Sequence, residues 1–390
     1  MTASARPPRA ARAPQAARDP EVVTGRLVLE DAVVPGRLSI ADGRIAAVEP
    51  DPAAASGPIV CPGFVDVHVH GWGGHDAMGS EADLDGMARA LLRHGVTSFL
   101  PTAVTAGLDT LRAFADRVRA WQSRAPDDGA EALGFDLEGP FISAERKGAQ
   151  NPAFIIAPSS VDRSELEPLL PGLRVTTIAP EVDGAVELIG WLASRGVAVS
   201  LGHSVATLDQ ARAGYAAGGR TTTHLFNAMT GVDHRNPGLA VAALTEDAAC
   251  VELIADGNHV HPSLWPIIVR TKPSNRLVLV SDALALAGMG EGHTSIGGLS
   301  VEVVGTRATL AGTSTLAGSV IALDTAVRNL VGVGIDLPAA VAAATRNPLD
   351  LIEVRDRGRL APGQRADLVE LDDDLRVRRV ARAGRWIEVA

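Results

Sequence analysis

The stretch CPGFVDVHVHGWGGHDAM, residues 61–78, decides how the chain is read. An apolar, β-branched run ends in His68 and His70 and then breaks into glycines. Residues i and i+2 of a strand point to one face, so both imidazoles reach a common point if this run is a strand. By itself the pair also describes a polar strand end whose histidines bond to backbone carbonyls. Whether other runs end the same way decides between the two.

They do. Seven further runs follow: TSFLPTAV (97–104), ALGFDLEG (132–139), VTTIAPE (175–181), AVSLGHS (198–204), TTTHLFNAM (221–229), CVELIADGNHV (250–260) and LVLVSDALA (277–285). Stretches with helical periodicity lie between them, among them residues 82–95, 108–121, 185–196 and 262–270. Alternation of this kind predicts parallel strands, and eight runs predict an α/β fold, a (β/α)8 TIM-like barrel. In that architecture chemistry sits at the C-terminal ends of the strands. That is where His68, His70, Glu138, His203, His224, His259 and Asp282 fall. A strand interior holds such groups unpaired only at a large desolvation cost; gathered at one barrel mouth, they satisfy one another through a metal ion.

The rest of the chain frames this barrel, expected over residues 62–351. Short β-branched runs at 21–61 and again at 352–390 predict a small discontinuous β domain, a β-sandwich built from both ends of the chain. Residues 1–20, rich in Ala, Arg and Pro without an apolar core, predict a disordered tail and not a secretory signal. A formal charge of -10 argues against nucleic acid and membrane surfaces as partners. Two distant cysteines, Cys61 and Cys250, form neither a disulfide framework nor a thiolate zinc motif, which fits the cytoplasm. No apolar run has the length of a membrane span.

Taken singly, Glu138 reads as a turn acid, and His203 and His224 as hydrogen-bonded interior histidines. Jointly they supply an N, N, O donor set that suits Zn2+ with a position left open for water; Fe2+, Co2+ or Mn2+ also bind such donors. Asp282 ends the eighth run, where an aspartate beside a metal takes a proton from water and returns it to a leaving group. His94 at a helix end, and His75, His234, His261 and His293 in loop-like stretches, receive no role.

The motifs PGFVDVHVHG, DLEGPF, GHS, THLFNAM, DGNHV and SDAL together resemble the N-acetylglucosamine-6-phosphate deacetylase family of the amidohydrolase superfamily. The resemblance covers everything after the first twenty residues. It implies a metal-dependent hydrolase of amino-sugar catabolism and cell-wall recycling, which converts N-acetylglucosamine 6-phosphate to glucosamine 6-phosphate and acetate. On matching positions it implies Glu138, His203 and His224 as ligands of the catalytic metal and Asp282 as general base and acid. Asn227, Ala228, His259 and the TLAG loop (Leu316, Ala317, Gly318) would contact the substrate. Arg235 would bind the phosphate, reaching across the interface of a homodimer; a guanidinium matches phosphate oxygens bidentately. Some members carry Gln-x-Asn in place of His68 and His70 and use one metal; with both histidines present, a second ion is expected, Glu138 bridging. Other members carry a histidine at Gln150 that polarises the acetyl carbonyl, and a glutamine there donates a hydrogen bond without becoming cationic.

Two other readings stand beside this one: an amidohydrolase acting on another N-acyl sugar or N-acyl amino acid, and a non-catalytic barrel that binds a sugar phosphate.

Overall fold

The computed structural model describes residues 21–387, so the expected tail at 1–20 lies outside the described residues. Its centre is a curled parallel sheet in a mixed α/β fold. In hydrogen-bonded order the path runs Gly219–Thr222, Ala198–Leu201, Leu173–Ile178, Phe135–Glu138, Val96–Val104 and Phe64–Val69. Each neighbouring pair is parallel. A further parallel pair joins Val251–Leu253 to Leu277–Leu279. Backbone bonds continue the sheet across both gaps: Leu225 N–H to Glu252 O (2.9 Å) on one side, Asp282 N–H to His68 O (2.9 Å) and His70 N–H to Ala283 O (2.8 Å) on the other.

The sequence explains this layering. Every residue of Phe64–Val69 and Val96–Val104 is buried, as near-continuous apolar strands become when both sheet faces are covered. The covering helices are amphipathic. Glu81–Leu92 starts at a capping box between Ser80 and Asp83. Leu108–Gln122 buries Leu111, Phe114, Ala115, Val118 and Trp121, a single helical face. Trp121 packs edge-on to Phe99 at 6.3 Å and donates its indole N–H to Asp85 at 2.7 Å.

Strands from both ends of the chain form one seven-stranded sheet, in the order Arg385–Ile387, Val377–Arg382, Leu368–Leu371, Ile59–Pro62, Glu21–Val28, Val33–Ala41, Arg44–Pro50. It closes over its own apolar cluster, with Leu27, Leu38, Ile45 and Leu368 fully or nearly fully buried. The chain then enters the first parallel strand through Gly63, where a Cβ would lie 2.2 Å from Thr97 Oγ1; a residue without a side chain is needed there.

One element was not anticipated. Gly292–Ile296, Leu299–Val304 and Arg307–Leu310 form a three-stranded antiparallel sheet where the sequence reads as loop. It packs on a separate cluster that includes Val104, Leu284, Ile296, Val301 and Val303. Two side-chain bonds tie it to the strand-end loops: Asn151 Nδ2 to Gly297 O at 3.0 Å and Asn258 Nδ2 to Thr306 O at 3.0 Å.

Candidate active site

The strand ends deliver two groups of three donors, both buried: Glu138, His203 and His224, and His68, His70 and Asp282. In the first, Glu138 Oε1 lies 2.9 Å from His203 Nε2 and 3.0 Å from His224 Nε2, and the two ring nitrogens are 3.1 Å apart. In the second, His70 Nε2 lies 3.2 Å from Asp282 Oδ1 and 3.3 Å from His68 Nε2. The groups touch, since Glu138 Oε2 is 3.1 Å from His70 Nε2.

The backbone is bent to achieve this. His203, His224 and Asp282 have φ of 47°, 29° and 50°, a left-handed conformation costing a side chain on the order of 1–3 kcal/mol. The turn after each strand brings the side chain into the cluster of donors. Phe226 and Ala228, at φ 77° and 49°, continue the bend after His224.

The outer ring atoms fix how the imidazoles face. His203 Nδ1 lies 2.8 Å from Arg146 O and His70 Nδ1 3.1 Å from Thr102 O. A carbonyl only accepts, so each Nδ1 carries a proton, and each Nε2 carries a second one or, in the neutral ring that binds a metal, turns a lone pair inward. His68 Nδ1 meets the carboxylate of Glu252 at 3.3 Å, with the same consequence. Inward lone pairs beside two carboxylates are the donor chemistry of a divalent cation.

The electrostatics agree. Burial opposes charge on His70, but Asp282 and Glu138 outweigh it and push the pKa up to about 10. His68 is likewise raised well above its ordinary value against burial, chiefly by Glu138. Burial favours the neutral form of Glu138, yet the surrounding imidazoles hold it well below the usual carboxylate range. Asp282 is lowered in the same way, first through His70. Anionic oxygens thus draw positive charge to the centre, and a divalent ion answers that demand. Beneath, Asp136 is buried with neither carboxylate oxygen hydrogen-bonded, and burial, partly offset by His68, pushes its pKa up to about 7.

Both groups open into a cavity of about 580 Å³ whose lining includes Gln150, Asn227, Ala228, His259, Leu316 and Gly318. Asn227 Nδ2 donates to His224 O at 3.1 Å, which ties it to the turn that presents His224. Ala317 is fully buried in the apolar cluster beneath the three-stranded sheet, with its neighbours Leu316 and Gly318 on the cavity side. Arg235 is also elsewhere. It is exposed on a loop, its N–H held by Asp233 at 2.8 Å, and it does not line the cavity of its own chain.

Sequence reasoning passed over Asp256, Arg146 and Lys147. Asp256 Oδ2 accepts from His259 Nδ1 at 2.8 Å and its Oδ1 from the His259 N–H at 2.8 Å. The i, i+3 spacing in DGNH was the available signal. Arg146 and Lys147 bring positive charge to the cavity wall, and the adjacent Arg-Lys pair was legible as such. His94, given no role, packs edge-on to Trp72 at 4.9 Å.

The amidohydrolase family model matches residues 59–387. Over 362 residues the chain is 39% identical to the N-acetylgalactosamine-6-phosphate deacetylase of Escherichia coli O157:H7, covering 90% of this chain and 93% of that one. The crystal structure of N-acetylglucosamine-6-phosphate deacetylase from Thermotoga maritima superposes with a TM-score of 0.88 at 33% identity, covering 94% of this chain and 99% of that one. A mutant N-acetyl-D-glucosamine-6-phosphate deacetylase from Mycobacterium smegmatis, in complex with N-acetyl-D-glucosamine-6-phosphate, superposes at 0.87 with 37% identity, covering 95% and 100%.

Proposed function

The chain belongs to the amidohydrolase family, and from that premise we propose that it hydrolyses N-acetylglucosamine 6-phosphate to glucosamine 6-phosphate and acetate. The observation that carries this reading is the pair of touching donor groups on the floor of one sugar-sized cavity. The six-stranded path, the parallel pair and the backbone bonds across both gaps support a complete (β/α)8 barrel over residues 62–351. The sheet shared by 21–61 and 352–387 supports the smaller β domain beside it.

Glu138, His203 and His224 would hold a divalent cation, Zn2+ by donor chemistry, and His68, His70 and Asp282 would offer a place for a second. When bound, the metal polarises the acetyl carbonyl and makes water a nucleophile near neutral pH. Asp282 takes the proton of the attacking water as the water oxygen adds to the carbonyl carbon. His259 stands at the cavity wall, where its ring, when protonated on both nitrogens, donates to the oxygen that gains charge. The C–N bond then breaks, and Asp282 returns its proton to the departing amine. Asn227, Ala228, Leu316 and Gly318 hold the sugar. Asp256 keeps the His259 ring in one orientation, so Asp256→Asn is expected to lower kcat/KM about tenfold, ~1.4 kcal/mol of transition-state stabilisation.

Because Arg235 does not reach its own cavity, its contact with phosphate belongs to a second copy in a homodimer, in the cytoplasm. Among the described residues no helix is long and apolar enough to cross a membrane. Arg235→Ala is expected to raise KM for the phosphorylated sugar roughly 10- to 100-fold, the worth of a charged hydrogen bond, with kcat little changed. Rates of wild-type and variant on the phosphorylated and unphosphorylated sugars check this; equal wild-type rates on the two sugars would remove the phosphate anchor. The relative from Escherichia coli supports a second reading, the galacto epimer as substrate, and kcat/KM for the two epimers separates them.

A further inference from the structure

The side chain of Gln150 has both ends spoken for. Its Oε1 accepts the backbone N–H of Thr105 at 2.8 Å. That bond identifies the oxygen, so the amide nitrogen must turn the other way, and Nε2 lies 2.5 Å from Glu138 Oε2. Gln150 and Glu138 are 4% and 3% exposed, so water does not compete for either bond. Thr105 reaches the same ligand from a second direction, donating its hydroxyl to Glu138 O at 3.0 Å.

We propose that Gln150 is a positioning residue for the metal centre: through Thr105 it clamps the Glu138 carboxylate edge-on, Oε1 towards His203 and His224 and Oε2 towards His70. This rests on the reading of Glu138 as a metal ligand. A carboxylate on a side chain with three torsions is otherwise free to swivel, and holding it in advance removes an entropy cost from metal binding. The clamp requires a side chain that accepts at one end and donates at the other. A glutamine amide does so, and a neutral imidazole has the same one donor and one acceptor. A glutamate has no proton to give and sets an anion against Oε2. An alanine leaves the Thr105 N–H buried without a partner and Oε2 free to turn.

The test is zinc affinity, measured by titrating metal-stripped protein with Zn2+ against a competing chromogenic chelator. Gln150→Ala and Gln150→Glu are expected to bind Zn2+ about 10- to 100-fold more weakly than wild type. Gln150→His is expected to restore affinity towards the wild-type value. Gln150→Ala strands the Thr105 N–H and is expected to melt below metal-stripped wild type, whereas Gln150→Glu keeps an acceptor for it and is expected to melt with metal-stripped wild type. Wild-type affinity in Gln150→Ala overturns the proposal, as does failure of Gln150→His to restore it. Weak binding in Gln150→Glu accompanied by a lowered metal-free melting temperature also overturns it, since Gln150 then supports the fold and not the ligand. Acetate release is read separately: a chain that binds zinc in this order but releases no acetate refutes the deacetylase reading and leaves the clamp standing. A chain that releases acetate with a flat zinc series does the reverse.

Discussion

Asparagine in place of Asp282 is expected to lower acetate release by about 10²- to 10⁴-fold, the range that a positioned proton acceptor and donor contributes. The exchange is nearly isosteric, and asparagine is among the residues that tolerate the left-handed φ of 50° found here. The backbone bond from residue 282 N–H to His68 O survives, so the turn keeps its shape. What disappears is the carboxylate that accepts the proton of water and hands it to the amine. The Glu138, His203 and His224 donors are untouched, and zinc content at that group is expected to remain at the wild-type level. Turnover and metal content measured on the same preparation check this. Activity retained within a few fold, with metal present, would remove Asp282 from the chemistry.

Glu138→Ala is expected to act one step earlier, on the metal itself. Glu138 Oε1 is the anionic member of its group, within 3.0 Å of both imidazoles, while Oε2 faces His70 and Gln150. Residues that merely orient a metal ligand are worth 10- to 100-fold in affinity, so loss of the ligand is expected to cost more than about 100-fold. Acetate release should fall with it, and a large excess of Zn2+ should recover only part. Elemental analysis after dialysis reads this directly. A variant that keeps its full complement of metal would show that His203 and His224 use another anionic partner.

Much of this site could be read from the chain because of how a parallel sheet works. Strands covered on both faces are nearly uniform apolar runs, so a histidine or carboxylate at the end of one is conspicuous, and eight runs place those ends together. Glu138, His203, His224, His68, His70 and Asp282 all stood out for that reason. Residues acting through another residue did not. Asp256 reaches the cavity through the His259 ring, and Gln150 reaches the donor group through Glu138; neither relation leaves a periodic mark. The left-handed turns at His203, His224 and Asp282 were hidden as well, because those residue types do not announce a positive φ as glycine does. The sheet over 292–310 escaped because its strands are short and alternate polar with apolar residues amid glycines. Ala317 is buried in the apolar cluster while Leu316 and Gly318 line the cavity, an alternation that the letters of a short loop do not reveal. Arg235 stands exposed on a surface loop, outside the lining of its own chain's cavity.

Metal-dependent removal of acetate from a 6-phosphorylated amino sugar is tested most directly by one assay. Purified protein, fully loaded with zinc and confirmed by elemental analysis, is incubated with N-acetylglucosamine 6-phosphate while acetate and free amine are both quantified. The predicted result is acetate and glucosamine 6-phosphate in equal amounts, lost on chelation and regained on adding Zn2+. No acetate from the metal-loaded protein, or undiminished release after complete chelation, would contradict it.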